Sequence, residues 1–342
     1  MTRNAMVAGL VMAGVLTAQA EPVKVIFDTD MGNDTDDLMA LCMIHNLQTR
    51  GAVDLLAVTI TKDHPLAAAF VDAVNTFYGR PGIPIGVVRD GAAKEEGKFN
   101  KLALEKREDG GDRYPHDLKS GADAPEATGL IRKILAAHPD NSVALVQVGF
   151  FTNFRRLLES QPDEHSPLNG KDLIAKKVSV LSIMGGSFQP INWDTLYVEY
   201  NVKLDIPAAK LLAQEWTSPV VWSGYEIGIA AAYPYESIER DFGYAKHHPL
   251  PEAYALYSPK GHHRPTWDPT ALLYAVYPDR GYFDLSPAGS VRVDDTGHTD
   301  FTPSKDGKGL HRYLKMSAEQ SARVREAIVQ LCVEPPKGAP AR

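Results

Sequence analysis

Short runs rich in valine, isoleucine and leucine alternate along the chain with longer stretches whose apolar residues recur every three or four positions. The runs predict strands over residues 23–30, 55–61, 83–88, 143–149, 178–184 and 219–223. The stretches predict helices over residues 36–48, 66–78, 126–137, 152–159, 207–214 and 270–277, with a last helix over 318–331. Strands that are apolar along their whole length must be covered on both faces, so the pattern predicts a parallel sheet with helices packed on each side. No linker interrupts the alternation and no repeat is present, which makes this one α/β domain, Rossmann-like, with a mostly parallel central sheet. In such a fold a site forms at the carboxyl ends of the strands. The polar, glycine-rich segments 91–119 and 247–265 exceed simple connections and suit that purpose.

The first 20 residues break the pattern. They hold one charge, Arg3, then an apolar run over residues 5–18, then Ala18-Gln19-Ala20 ahead of Glu21. A basic start, a short apolar stretch and a small-x-small step are the parts of a signal peptide. The run is shorter than the ~20 residues that span a bilayer. The expected mature chain is therefore 21–342, periplasmic or secreted, with a loose Pro/Gly/Ala tail after about residue 334. Cys42 lies in an apolar stretch and Cys332 near the end, so each reads first as a buried thiol, and a bridge between them stays open.

Charge narrows the partners. The chain has 43 acidic against 36 basic residues, a formal charge of −7, which becomes −8 once the segment carrying Arg3 is removed. Without a basic block or a run of like charges, neither a nucleic acid nor a membrane surface is the expected partner. A small molecule is. No Cys/His spacing suggests zinc, and the pairs His247-His248 and His262-His263 lack the i, i+4 spacing of helical ligands.

The sharpest local feature is Phe27-Asp28-Thr29-Asp30-Met31-Gly32-Asn33-Asp34-Thr35-Asp36-Asp37, between a predicted strand and a predicted helix. Five carboxylates in ten residues repel one another unless a cation or bound hydroxyl groups compensate. All-oxygen ligands select a hard cation, and a crowded, flexible set favours Ca²⁺ over Mg²⁺. Three readings fit the run: a structural calcium loop, an aspartyl-nucleophile phosphatase, or the metal site of another hydrolase. The first lacks a Glu at loop position 12, which is Met39, and follows a strand rather than a helix. The second has no use for the acids that continue through Asp36 and Asp37.

Further blocks along the chain favour the third reading. D-T-D-x-G with two adjacent Asp resembles the amino-terminal signature of the inosine-uridine-preferring nucleoside hydrolase family. Val146-Gln147-Val148-Gly149-Phe150-Phe151-Thr152-Asn153 is similar to its strand-to-helix turn. Met184-Gly185-Gly186, Asn192, Val198-Glu199-Tyr200-Asn201 and Asp205-Ile206-Pro207-Ala208-Ala209 are similar to its next blocks, and Trp267-Asp268-Pro269 to its last. The resemblance implies hydrolysis of a nucleoside N-glycosidic bond, with Ca²⁺ held by Asp30, Asp37, Asp268 and the carbonyl of Val148. It implies Asp30 as the base acting on water, Asp36 on the 2′-hydroxyl, Asn201 on the ribose diol, Glu199 and Asn192 on the 5′-hydroxyl, Met184 beneath the sugar, and Asp268 in contact with substrate as well as metal. Asp28 would orient its neighbours from behind. The family's frequent dimers and tetramers imply a homo-oligomer.

Two departures qualify the match. The chain carries two more residues between Gly32 and the Asp pair than the family's shorter form, so either Asp34 adds a ligand or it takes the role given to Asp36. Trp267 stands where broad-range members have the histidine that protonates the leaving base. An indole is no general acid, but it can stack on a purine, as in purine-selective members. Phe99, Tyr114 and His116 are candidates for a second stacking partner, and His64, His116, His262 and His263 for a proton donor. A hydrolase of another ribosyl compound and a non-catalytic ribose- or nucleoside-binding protein are the competing functions.

Overall fold

The computed structural model describes residues 21–94 and 96–337; the expected export signal and the last five residues of the tail lie outside these. The first half contains β1 (Val23–Thr29), α1 (Asp36–Thr49), β2 (Val53–Ile60), α2 (Ala67–Phe77), β3 (Ile85–Val87), α3 (Ala127–Ala137), β4 (Val143–Gln147) and α4 (Thr152–Glu159). The chain continues through α5 (Gly170–Lys177), β5 (Val178–Met184), α6 (Tyr200–Leu204), α7 (Ile206–Glu215), β6 (Val220–Ser223), α8 (Tyr225–Ala230), α9 (Tyr235–Arg240) and α10 (Pro249–Tyr257). It ends with α11 (Trp267–Val276), β7 (Asp284–Leu285), β8 (Gly289–Val293), β9 (Thr299–Pro303), β10 (His311–Lys315) and α12 (Ala318–Val333).

One sheet runs in the order β3-β2-β1-β4-β5-β6-β10-β8-β9, with β7 paired to β10. From β3 to β10 every neighbouring pair is parallel, while β7, β8 and β9 join antiparallel. The parallel strands are the ones whose sequences are apolar throughout; β4 is buried at all five positions. Helices cover both faces and close two apolar clusters, one around α1, α2 and α11 and the other around α3, α4 and α7. Among the described residues no helix is long and apolar enough to cross a membrane. Cys42 and Cys332 are both buried and both free.

The α/β prediction is met, with additions from α5 onward. Strands β7 to β10 and helices α5, α6, α8, α9 and α10 go beyond the predicted elements, since most are too short to show a period. Helix α11 starts at Trp267, not at 270, which puts Trp267 and Asp268 in its first turn. The strand order reverses at β1: β2 and β3 lie on one side, β4, β5 and β6 on the other. Chains leaving β1 and β4 therefore diverge and open a crevice at their carboxyl ends. The acidic run leaves β1 there, and Val148, just past β4, donates its N–H to the carbonyl of Asp28 (2.7 Å).

Candidate active site

The acidic run is folded by its own side chains. Asp28 points down from β1 and is fully buried; its Oδ1 accepts from Thr59 Oγ1 (2.5 Å), its partner across β1–β2, and from Asn153 Nδ2 (2.8 Å). Burial still pushes its carboxyl up to about 7. The Thr29 hydroxyl donates to Asp37 Oδ1 and accepts the N–H of Met31 (3.1 Å), turning the chain back on itself. Gly32 then adopts φ 116°, where a Cβ would also sit 2.3 Å from Asn100 Nδ2. Asn33 Nδ2 donates to Asp30 Oδ2 (2.7 Å), and its Oδ1 accepts from the buried Lys62 ammonium. Asp36 and Asp37 start α1.

Above this loop lies a cavity of about 350 Å³ with two chemically distinct ends. Asp30, Asp34, Asp36, Asp37 and Asp268 form one end, with Val148, Met184, Glu199 and Asn201 beside them. Asn201 Nδ2 donates to the Val148 carbonyl (2.9 Å) and meets the Met184 sulfur (3.3 Å), which fixes its amide. Glu199 caps α6, accepting the N–H groups of Asn201 (2.9 Å) and Val202 (3.1 Å). Its burial outweighs those bonds and holds the carboxyl at about 7. The other end is aromatic: Tyr225, Tyr257 and Trp267, with Lys98 at the rim.

Electrostatics at the acidic end turn on Arg264, itself 4% exposed. Its Nε and Nη2 donate to Asp36 Oδ1 (3.1 and 2.8 Å), and Nη2 pairs with Asp34 (2.5 Å). Asp36 Oδ2 accepts the N–H of Trp267 (2.9 Å) and of Asp268 (3.3 Å), the first amides of α11. Burial works against the Asp36 anion, yet Arg264 wins and keeps its carboxyl below the usual range. The others have no such partner in full. Burial, then the neighbouring carboxylates, raises Asp34, Asp37 and Asp268 well above the ordinary value, and burial takes Asp30 to about 7 against the pull of Lys62. Carboxylate oxygens of Asp34, Asp36 and Asp268 lie within 4.8 Å of one another, so they could hold a metal ion. A crowd of acids that burial and repulsion disfavour as anions is what a divalent cation would relieve.

The sequence profile of the inosine-uridine preferring nucleoside hydrolases matches residues 25–328. The chain belongs to this family. Solved nucleoside hydrolases share its fold. A plant nucleoside hydrolase is 22% identical with a TM-score of 0.68 over 92% of this chain and 100% of its own. A purine-preferring ribonucleoside hydrolase from Gardnerella vaginalis is 17% identical, TM-score 0.66, over 90% and 99%. An inosine-guanosine nucleoside hydrolase is 19% identical, TM-score 0.67, over 90% and 98%. Nothing among curated proteins matches the chain.

As a nucleoside hydrolase, the chain assembles most of the residues that its motifs single out. Asp30, Asp34, Asp36, Asp37, Val148, Met184, Glu199, Asn201, Trp267 and Asp268 line the one cavity, and Asp28 lies beneath it. Asn192 does not join them. It is exposed in a tight turn closed by Ile191 and Asp194, in the left-handed region at φ 49°, and is absent from the cavity wall. Nor does segment 91–119 supply a stacking ring: Phe99 packs on Phe70 in the core (5.4 Å between centroids) and Tyr114 is buried. His116 turns to the Tyr114 carbonyl (2.7 Å). His64, His262 and His263 are likewise off the wall, with His64 Nδ1 and His263 Nδ1 each accepting a backbone N–H. The rings come instead from α8 and α10: Tyr225 stacks on Trp267 (5.0 Å, 27°), and Tyr257 faces the cavity beside Arg264. Gly228 lets Trp267 approach, since a Cβ there would stand 2.1 Å from the indole Cδ1. Tyr257 and Arg264 fall in segment 247–265, whose length marks it for a site, but neither they nor Tyr225, at the start of the short helix α8, carry a motif that would have singled them out.

Proposed function

We propose that this nucleoside hydrolase is a Ca²⁺-dependent enzyme of purine ribonucleosides, giving ribose and free base, and that it works after export, in the periplasm or outside the cell. The observation that carries the reading is the pairing of a carboxylate-rich end with a Tyr225–Trp267 stack in one cavity. A ribose fits the first and a purine the second. Asp30, Asp37, Asp268 and the Val148 carbonyl would hold the ion, with Asp34 beside them; this many hard oxygens suits Ca²⁺ better than Mg²⁺. When bound, the ion supplies a water of lowered pKa and a grip on the ribose diol.

The chain's own residues do the rest. Asp30 takes the proton of the water that attacks C1′. Asn201, its amide fixed by Val148 and Met184, binds the diol, and Glu199 takes the 5′-hydroxyl without help from Asn192. Asp36 has both oxygens engaged by Arg264 and the α11 amides, so Asp34 is the better partner of the 2′-hydroxyl. Trp267 stacks on the base. The test incubates the protein with inosine, adenosine, guanosine and uridine, each with Ca²⁺, Mg²⁺ or chelator. Release of purines ahead of uracil, lost on chelation and restored by Ca²⁺ before Mg²⁺, is expected. Ligand binding with no release of any base would overturn the reading.

A further inference from the structure

The departing base needs a partner for the electrons it carries away, and among the described residues no histidine lines the cavity. Arg264 reaches the aromatic end, 4.8 Å from the centroids of Tyr257 and Trp267, but its charge is answered by Asp34 and Asp36. Tyr257 is a poor proton source: burial and the Asp34 charge hold its phenol well above the ordinary value, and its oxygen accepts from Arg264 Nη1. Glu96 is 97% exposed at its side chain and turns toward His64 (3.4 Å). Lys98 remains. Its backbone N–H donates to the Gly32 carbonyl (2.9 Å), which roots it on the acidic loop, and its ammonium rests 4.3 Å from the centroid of Tyr257 on the cavity wall. Among the described residues it forms no ion pair with a carboxylate.

We propose that Lys98 is the catalytic residue that donates a proton to the leaving base, taking over the task that Trp267 cannot perform; this rests on the hydrolase reading above. The C1′–N bond breaks with its electron pair going to the base, and a proton moves from the Lys98 ammonium to a ring nitrogen of that base. The oxygen of water bonds to C1′ and its proton passes to Asp30. Solvent then returns a proton to Lys98 and removes one from Asp30, so charge and atoms balance. The cation–π contact with Tyr257 keeps the ammonium at the aromatic end, where the base stacks.

The full-length protein and its Lys98→Met and Lys98→Arg variants are assayed on inosine and on p-nitrophenyl riboside, whose phenolate leaves without a proton. Lys98→Met is expected to lower kcat on inosine by about 100-fold or more and to change kcat on the p-nitrophenyl compound by less than about threefold. Lys98→Arg keeps the charge but not a transferable proton, and is expected to stay low on inosine. Calorimetric titration with CaCl₂ alone is expected to be the same for all three proteins, which separates a chemical defect from a folding one. Equal loss on both substrates, no loss on inosine, or recovery with Lys98→Arg would overturn the proposal. Failure of the unaltered protein on both substrates would instead sink the hydrolase reading itself.

Discussion

Replacing Arg264 by methionine tests how the acidic end is held together before any ion binds. The change keeps much of the side-chain volume and strands two carboxylates. Asp36 is 1% exposed at its side chain, whereas Asp34 is 34% exposed and partly screened by water, so Asp36 dominates the cost. Removing one member of a buried pair costs about 3–5 kcal/mol, chiefly because the surviving charge has no answer. At roughly 2 °C per kcal/mol for a chain this long, the melting temperature falls by about 6–10 °C. The assay is urea unfolding in chelator of the parent, Arg264→Met, Asp36→Asn and the double variant. The four stabilities give a coupling energy, expected to exceed about 2 kcal/mol, because each residue's loss is harmful mainly while the other remains. Ca²⁺ then narrows the gap between Arg264→Met and the parent, since the stranded carboxylates gain another counter-charge. A loss below about 1 kcal/mol with negligible coupling would show that Arg264 does not neutralise the cluster.

Asp37→Ala abolishes calorimetric Ca²⁺ binding and activity together, and Asp30→Asn lowers kcat by about 100-fold or more; full activity in either variant contradicts the roles given. Trp267→Ala leaves Ca²⁺ binding intact and lowers kcat/KM for inosine relative to uridine by about tenfold, the size of one stacking contact. Gly228→Ala has a related effect by displacing the indole, whose Cδ1 stands 2.1 Å from the added Cβ, and it reads out as a raised KM for inosine. Stability falls with acid through the buried histidines. Burial pushes His45 and His248 down to about 3, so below pH 6.5 the unfolded chain takes up protons that the folded chain refuses. Each histidine then removes about 2 kcal/mol by pH 5, and His45→Phe flattens the unfolding curve between pH 6.5 and 5; an unchanged slope would show that His45 is not excluded from protonation.

Legibility in the sequence followed the reach of each signal. The parallel strands could be read because burial on both faces leaves an unbroken apolar run, as in Val143-Ala144-Leu145-Val146-Gln147 of β4. Strand β8 alternates buried and exposed positions, a period of two that spans only five residues and is too short to stand out from a loop. The acidic run could be read because its carboxylates are crowded by sequence alone. The resemblance assigns Asn192 to the 5′-hydroxyl, but a residue after Met184-Gly185-Gly186 reaches the ribose only if the intervening turn aims it there, and this turn leaves it exposed and off the cavity wall. Arg264 had only the length of segment 247–265 to mark it: Asp36, its main partner, lies 228 residues away, and only the folded chain brings the two together.

That distance gives the extra residues after Gly32 a purpose. In the longer loop, Asp36 sits at the start of α1 and reaches across to the first amides of α11, 231 and 232 residues along the chain, while Arg264 locks it from the side. One carboxylate thus ties together the two helices that carry Asp37 and Asp268, so the spacing between those acids is set by a buried clasp before any ion binds. A carboxylate fully occupied in this way has little left to offer a sugar. Asp34, two residues earlier and on the cavity side of the same loop, is then free to face the ligand with one oxygen held by Arg264. On the proposed function, the lengthened loop would split between two residues, Asp36 and Asp34, the tasks of anchoring the site and touching the substrate. The split predicts opposite signatures: Asp36→Asn should act first on stability and metal affinity, and Asp34→Asn first on KM, with Ca²⁺ binding nearly intact. Equal behaviour of the two variants in calorimetry and kinetics would refute the division.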